Sequence, residues 1–212
     1  MLQFNKLNLL VVFLFSVMTF AQQDGWNHWS LDAGYGYVQP SSLFKTPQST
    51  GKFAGFRHAE LGLRYMVTPT IGAKLSYNND RFEYKRYGIE FNTFQLEAVY
   101  NLGSLFQLSY WTYETVGLLA HAGSGVTIAG PESIKKYETI GTASLGLTPQ
   151  VKVADRLSIY ADLTYAFHFK QHYGFDGVLL DPDYNPEVGK SLRFAVGIQL
   201  YLGKERRHVD WY

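Results

Sequence analysis

Three observations predict an all-β chain closed into an eight-stranded antiparallel up-and-down transmembrane β-barrel. The first is alternation. In residues 191–202, SLRFAVGIQLYL, Leu192, Phe194, Val196, Ile198, Leu200 and Leu202 share one parity, while Arg193, Ala195, Gly197, Gln199 and Tyr201 share the other. Side chains of a strand point to opposite faces in turn, so one face is wholly apolar and the other holds a charge, an amide and small residues. The second is rhythm: seven earlier segments repeat this pattern, joined alternately by long polar stretches and very short turns, the loop asymmetry of barrels that span an outer membrane. The third is an export signal. Lys6, an apolar run over residues 7–17, and the small residues Thr19 and Ala21 before Gln22 make residues 1–21 a cleavable secretory leader.

Composition narrows the function classes. Lys and Arg number 19 against 18 Asp and Glu; removing Lys6, the sole charge of the leader, makes the balance even. A neutral chain is a poor partner for nucleic acid. Cysteine is absent, so the exported chain is held by packing and strand pairing rather than disulfides. Aromatic residues make up 17% of the chain and glycines number 20, which suits interfacial ring belts and a crowded barrel interior. No segment after the leader reaches the ~18 consecutive apolar residues of a membrane-spanning helix.

The elements follow in order. Strand one alternates Trp29, Leu31, Ala33, Tyr35 and Tyr37 with Ser30, Asp32, Gly34, Gly36 and Val38, and a long loop over residues 39–56 follows. Strand two sets Ala59, Leu61, Leu63 and Tyr65 against His58, Glu60, Gly62 and Arg64; after a short turn at residues 67–70, strand three sets Ile71, Ala73, Leu75 and Tyr77 against Gly72, Lys74, Ser76 and Asn78. The charged and aromatic residues 79–90 read as a second long loop. Strand four places Phe94, Leu96, Ala98 and Tyr100 opposite Gln95, Glu97, Val99 and Asn101, and residues 102–104 make a tight connection. Strand five lies within residues 105–125, with Val116, Leu118 and Ala120 outward and Thr115, Gly117, Leu119 and His121 inward; residues 127–139 form the third long loop. Strand six carries Ala143, Leu145, Leu147 and Val151 on its apolar parity, with Pro149 among them marking a bulge or a weakly paired point. Strand seven sets Ile159, Ala161, Leu163, Tyr165 and Phe167 against Tyr160, Asp162, Thr164, Ala166 and His168; residues 169–190 form the fourth loop, and residues 191–202 close the barrel onto strand one.

The direction of the two faces follows from the rings. Trp29, Tyr35, Tyr37, Tyr65, Tyr77, Phe94, Tyr100, Tyr165 and Phe167 lie near strand ends on the apolar parity, with aliphatics between them. That order matches the headgroup and hydrocarbon zones of a bilayer. An exported soluble lipocalin-like barrel binding an apolar ligand would turn the same parity inward. The polar parity then lines the lumen and forms a charge network of Asp32, Glu60, Arg64, Lys74, Glu97, Lys152, Asp162 and Arg193. An eight-stranded barrel has room for side chains rather than an open channel, so a packed polar plug is expected; in a minor solute conductance, Glu60, Glu97, Arg64 and Arg193 would form the gate.

Other constellations carry less. His168, His172, Asp176, Asp181, Asp183 and Glu187 are of ligand type, but they lack the glycine and spacing of a calcium loop, and no metal or cofactor is expected. Ser124 lacks the Gly-x-Ser-x-Gly elbow of a nucleophile. Ser41, Ser42 and His172 would be the residues of a lipid A-modifying barrel enzyme, though no spacing demands it. Arg81, Lys85, Arg86, Lys135 and Lys136 fit two readings equally, charge-assisted contacts to lipopolysaccharide phosphates or a solvated loop face. Residues 204–208, KERRH, read as a disordered basic exit.

Three stretches resemble the small outer-membrane β-barrels of Gram-negative bacteria, specifically the N-terminal barrel of OmpA-like proteins. GLTPQVKVADRLSIYADLTYAF over residues 146–167 resembles the turn between two late strands, FKQHYGFDG over 169–177 the start of the last external loop, and GIQLYLGKERRHVDWY over 197–212 the junction to a periplasmic domain. OmpA-like proteins usually continue into a peptidoglycan-binding domain, whereas this sequence stops at Tyr212. The expected organisation is a leader over 1–21, a barrel over 22–203 and a short basic periplasmic tail over 204–212. The resemblance and the residues together imply a non-enzymatic outer-membrane protein with a structural, membrane-integrity or surface-interaction role. Its expected partners are outer-membrane lipid, lipopolysaccharide and the barrel-assembly machinery, and it is expected to be a monomer.

Overall fold

The computed structural model describes residues 25–41, 50–131 and 137–211. Eight strands follow one another: β1 (Trp29–Pro40), β2 (Gly55–Met66), β3 (Ile71–Tyr84), β4 (Tyr87–Asn101), β5 (Val116–Pro131), β6 (Glu138–Ala154), β7 (Leu157–Gln171) and β8 (Glu187–Leu202). Each pairs antiparallel with the next, and β8 returns to β1 from Trp29↔Leu202 to Pro40↔Ser191, so the sheet closes without an edge. The expected leader lies outside the described residues, as do Ser42, Lys135 and Lys136.

Alternation sorts the chemistry as a bilayer requires. Leu157, Leu200, Leu31, Leu63, Leu75 and Leu96 are direct partners across six successive strands and form a continuous outward row. Leu75 is 58% and Leu96 65% exposed, whereas the inward Arg64 and Arg193 are 1% exposed. A water-soluble barrel would show the reverse. Rings edge this wall: Trp29 and Tyr65 meet at 4.8 Å near one rim, and Tyr77–Phe94 and Tyr165–Phe167 meet at 5.0 Å toward the other. In β5, Gly117, Leu119 and His121 are buried between the less buried Val116, Leu118 and Ala120, the phase that alternation predicts. At Pro149, which has no N–H to give, the β6–β7 ladder passes from Leu147↔Leu163 to Gln150↔Tyr160 without changing register; the irregularity falls later, between Lys152 and Ala154.

Four segments differ from the sequence reading. Residues 79–90 are not a loop: β3 and β4 stay paired to Tyr84↔Tyr87. Strand five likewise runs on to Pro131, paired with β4 as far as Ile89↔Pro131. In these outer halves parity persists but chemistry inverts. Phe82, Ile89, Phe91 and Ala129 point inward into an apolar cluster with Val38, Phe53, Ile140, Tyr173 and Phe175, while Arg81 and Glu90 point outward. Beyond the bilayer the barrel is a water-facing one, and a search for outward apolar residues stops too soon. The connection after β4 is not tight: residues 102–115 hold two one-turn helices, Leu102–Leu105 and Leu108–Trp111.

The fourth difference is the tail. Residues 204–211 are not a disordered exit; they fold back beneath the barrel, where Val209–Trp211 forms a buried 3-10 turn. Asn27 holds them. Its N–H donates to Arg207 O at 2.9 Å, its carbonyl accepts from Val209 N at 3.0 Å, and its side chain accepts from Glu205 N at 3.1 Å. Gly203, at φ +141°, lets the chain approach: a Cβ there would collide with Asn27 Oδ1.

Candidate functional site: an ion-paired lumen

The inward parity of the strands stacks charged groups along the barrel axis. At the mouth shared by residues 25–28 and 203–211, Arg64 from β2 meets Asp210. Arg64 Nη1 donates to Oδ1 at 3.1 Å and Nη2 to Oδ2 at 2.5 Å, and Nε donates to Ser30 Oγ at 3.0 Å. Gln150 Nε2 reaches Asp210 Oδ2 at 3.3 Å, and Asn101 Nδ2 donates to the Asp210 carbonyl at 3.0 Å. Burial pushes the Asp210 carboxyl up, but the Arg64 guanidinium and His208 outweigh it and hold the group well below the usual carboxylate range.

The next layer is acidic with one lysine. Lys74 Nζ lies 3.6 Å from Asp32 Oδ2. His121 stands between two carboxylates, with Nδ1 2.8 Å from Glu97 Oε2 and Nε2 3.0 Å from Asp162 Oδ2. Hydroxyls complete the carboxylates: Thr148 donates to Asp162 at 2.7 Å, Thr164 also donates to Asp162, and Ser76 donates to Glu97. Tyr160 crosses the lumen from β7 and donates to Glu60 Oε1 at 2.6 Å. Gly34 makes room for that crossing, since a Cβ there would lie 2.6 Å from the Tyr160 hydroxyl and 2.9 Å from Glu60 Oε1. Above it, His58 links the layers, Nε2 to Glu60 at 3.3 Å and Nδ1 to Asp80 at 2.6 Å, and Arg193 Nε donates to Asp80 Oδ2 at 2.8 Å. Phe91, Phe175 and His168 close over this layer, with ring centroids of Phe91 and His168 4.9 Å apart.

Of the eight charges expected in the lumen, Asp32, Glu60, Arg64, Lys74, Glu97, Asp162 and Arg193 are buried in this column. Lys152 stands apart at the mouth, 3.4 Å from Glu114 and over the Trp211 ring at 5.9 Å. Sequence reasoning missed Asp80 and Asp210, the partners of the two arginines. Asp80 continues the even parity of Lys74, Ser76 and Asn78 by one step, and that was the signal available for it. An interior cavity lined by Asp32, Arg64, Lys74, His121 and Tyr160 measures about 10 Å³, room for about one water. Buried charges of both signs are costly unless paired, and here the pairs fill the bore.

The other candidates are not brought together. His172 Nδ1 contacts Glu138 Oε1, and its ring stacks on Tyr184 at 4.1 Å. Ser41 Oγ lies 3.2 Å from the Tyr165 hydroxyl. Ser124 points outward on β5, paired with Leu96 and Ala143. Of the ligand-type set, His168 is in the lumen, Asp176 accepts from Val178 N at 3.0 Å, and Asp181 accepts from Asp183 N at 2.9 Å. Among the described residues no three such side chains converge as a metal site. Arg81 pairs with Glu90 at 3.3 Å, while Lys85 and Arg86 flank the hairpin tip over Tyr84 and Tyr87.

No protein family and no curated protein matches the chain by sequence. Solved structures match it in fold. The chain is similar in fold to neisserial surface protein A (NspA), at 13% identity and a TM-score of 0.57, over 84% of this chain and 98% of that one. A major outer membrane protein of Thermus thermophilus overlays more loosely, at 11% identity and a TM-score of 0.47, over 83% of this chain and 99% of that one. The likeness to NspA is one of fold; the apolar outward wall around a polar interior decides the setting, because a closed sheet satisfies its backbone within itself and can stand in lipid, where such an outward wall belongs. The chain is an outer-membrane β-barrel. A soluble barrel with an apolar ligand cavity would need the opposite polarity.

Proposed function

We propose that this barrel is a non-enzymatic structural protein of the outer membrane, related to OmpA-like barrels, that reinforces the membrane and meets its surroundings through its external half. The observation that carries this reading is the bore filled by Arg64–Asp210, His121 between Glu97 and Asp162, and Arg193–Asp80. A solute path would have to break these four buried contacts, which lie in three successive layers. Residues 1–21 serve as export signal, 22–203 as the barrel and 204–212 as a periplasmic segment. The barrel-assembly machinery inserts the chain, which works as a monomer, and Arg81, Lys85 and Arg86 face lipopolysaccharide phosphates.

Planar-bilayer recording of the refolded protein tests this. The expected result is a baseline without persistent current steps; a stable ohmic conductance would overturn the structural reading. A deletion strain is expected to be more sensitive to detergent with its lipid A acylation unchanged, and altered acylation would instead establish an enzyme.

A further inference from the structure

We infer that residues 102–113, between β4 and β5, form an interfacial foot that lies on the phospholipid surface of the periplasmic leaflet. Both one-turn helices are held by their own bonds: Asn101 Oδ1 accepts from Ser104 N at 3.0 Å, and Thr112 Oγ1 accepts from Val116 N at 3.1 Å. Their polarity is inverted relative to a helix packed on a water-soluble core. The small residues Gly103 and Ser109 are buried, while Leu105, Phe106, Tyr110, Trp111 and Tyr113 are 57–92% exposed. Residues 102–113, LGSLFQLSYWTY, contain no ionisable acid or base other than the tyrosines.

Two further observations name lipid as the occupant. The first charge after the segment, Glu114, turns to the barrel mouth, 3.4 Å from Lys152 and 3.5 Å from Arg207. The charge that follows the segment is therefore held at the mouth. The apolar side runs on into the lipid-facing wall: Lys152 N donates to Thr115 O at 2.8 Å, Val116 pairs with Val151, and Val151 and Val153 are exposed. Tyrosine and tryptophan, apolar in body and polar at the tip, suit the headgroup boundary, and a short amphipathic segment beside a spanning wall settles there. The foot sits at the rim that holds residues 25–28 and 203–211, the periplasmic end.

The inference rests on the transmembrane reading, and the test separates the two. The chain has no cysteine, so Tyr113→Cys carries a unique environment-sensitive fluorophore, with Lys85→Cys at the external hairpin tip as control. In phosphatidylcholine vesicles the label at 113 is expected to lose most of its emission to shallow brominated acyl chains and to resist aqueous iodide; the label at 85 should do the reverse. Adding Phe106→Glu and Trp111→Glu is expected to return iodide access at 113 while the barrel keeps its heat-modifiable gel band. A folded barrel whose 113 label is open to iodide and indifferent to brominated lipid overturns the foot, as does a 113–113 disulfide dimer, which would make a second copy the occupant. Failure of the unlabelled chain to give a heat-modifiable band in vesicles overturns the transmembrane reading and the foot together.

Discussion

Arg64 and Asp210, 146 positions apart in the chain, form a two-pronged ion pair that seals the mouth of the barrel beside residues 203–211. One comes from the wall and the other from a segment outside it, so the pair joins the barrel to its plug. Arg64→Met leaves the Asp210 carboxylate buried without its cation, which costs about 3–5 kcal/mol. Urea unfolding in detergent micelles, followed by heat-modifiable mobility, is expected to show that loss. Pairing Arg64→Met with Asp210→Leu should recover most of it, because neither partner is then stranded.

The same pair sets an acid dependence. Folding holds the Asp210 carboxyl below its ordinary value of 3.8, so the folded state binds this proton less readily than the unfolded state. The stabilisation is therefore complete above about pH 4 and is lost as pH falls below it. Unfolding midpoints are expected to stay level from neutral pH to about pH 5 and to drop near pH 3. Asp210→Asn should lower the neutral midpoint and flatten that drop; an equally steep drop in the variant would assign it to other carboxylates.

Tyr160 spans the bore where Gly34 and Gly197 both lack a side chain. Gly34→Ala places a methyl 2.6 Å from the Tyr160 hydroxyl, and overpacking of this kind costs about 1–3 kcal/mol. Tyr160→Phe alone should also destabilise, by about 1–3 kcal/mol, since Glu60 loses a buried donor. Combined, the two are expected to cost less than their sum, because the phenyl ring no longer carries the clashing oxygen. Additive losses in a double-mutant cycle would place the strain elsewhere.

Leu75 sits in the outward leucine row with Leu63 and Leu96 as direct partners. Leu75→Arg at mid-wall is expected to cost about 2–4 kcal/mol in bilayers, read as a reduced folded fraction in vesicles. Arg81→Leu, outward on the same strand but beyond the apolar band, should change that fraction little.

How much of this was legible follows from where the sequence rule holds. Residues 191–202 alternate cleanly, and from them the closure against Trp29 to Val38 and the lumen position of Arg193 could be read from the sequence alone. The rule is a statement about lipid, so it fails where lipid ends. At Phe82 and Phe91 the apolar side chain belongs inside and the charge of Arg81 or Glu90 outside, and the run looks like a loop to a reader seeking outward leucines. Asp80 was lost with it, leaving Arg193 without its visible partner. The plug was missed for another reason: the five residues KERRH dominate its composition, while the side chains buried in it are His208, the last of the five, and Val209, Asp210 and Trp211 just beyond. A composition argument averages over the residues that matter.

The inversion of polarity along β3 has a consequence for which changes in chain length the protein tolerates. A strand advances one face per residue, so a single deletion ahead of Lys74 would turn every later side chain of β3 to the opposite face. Lys74 and Asp80 would be turned into hydrocarbon or water, Leu75 into the ionic column, and Arg81 into the phenylalanine cluster. Both halves of the strand fail together, each for the opposite reason. Insertions and deletions are thus confined to the connections, such as the two-residue tip at Lys85 and Arg86, and the spacing between the two chemistries is as fixed as the residues themselves.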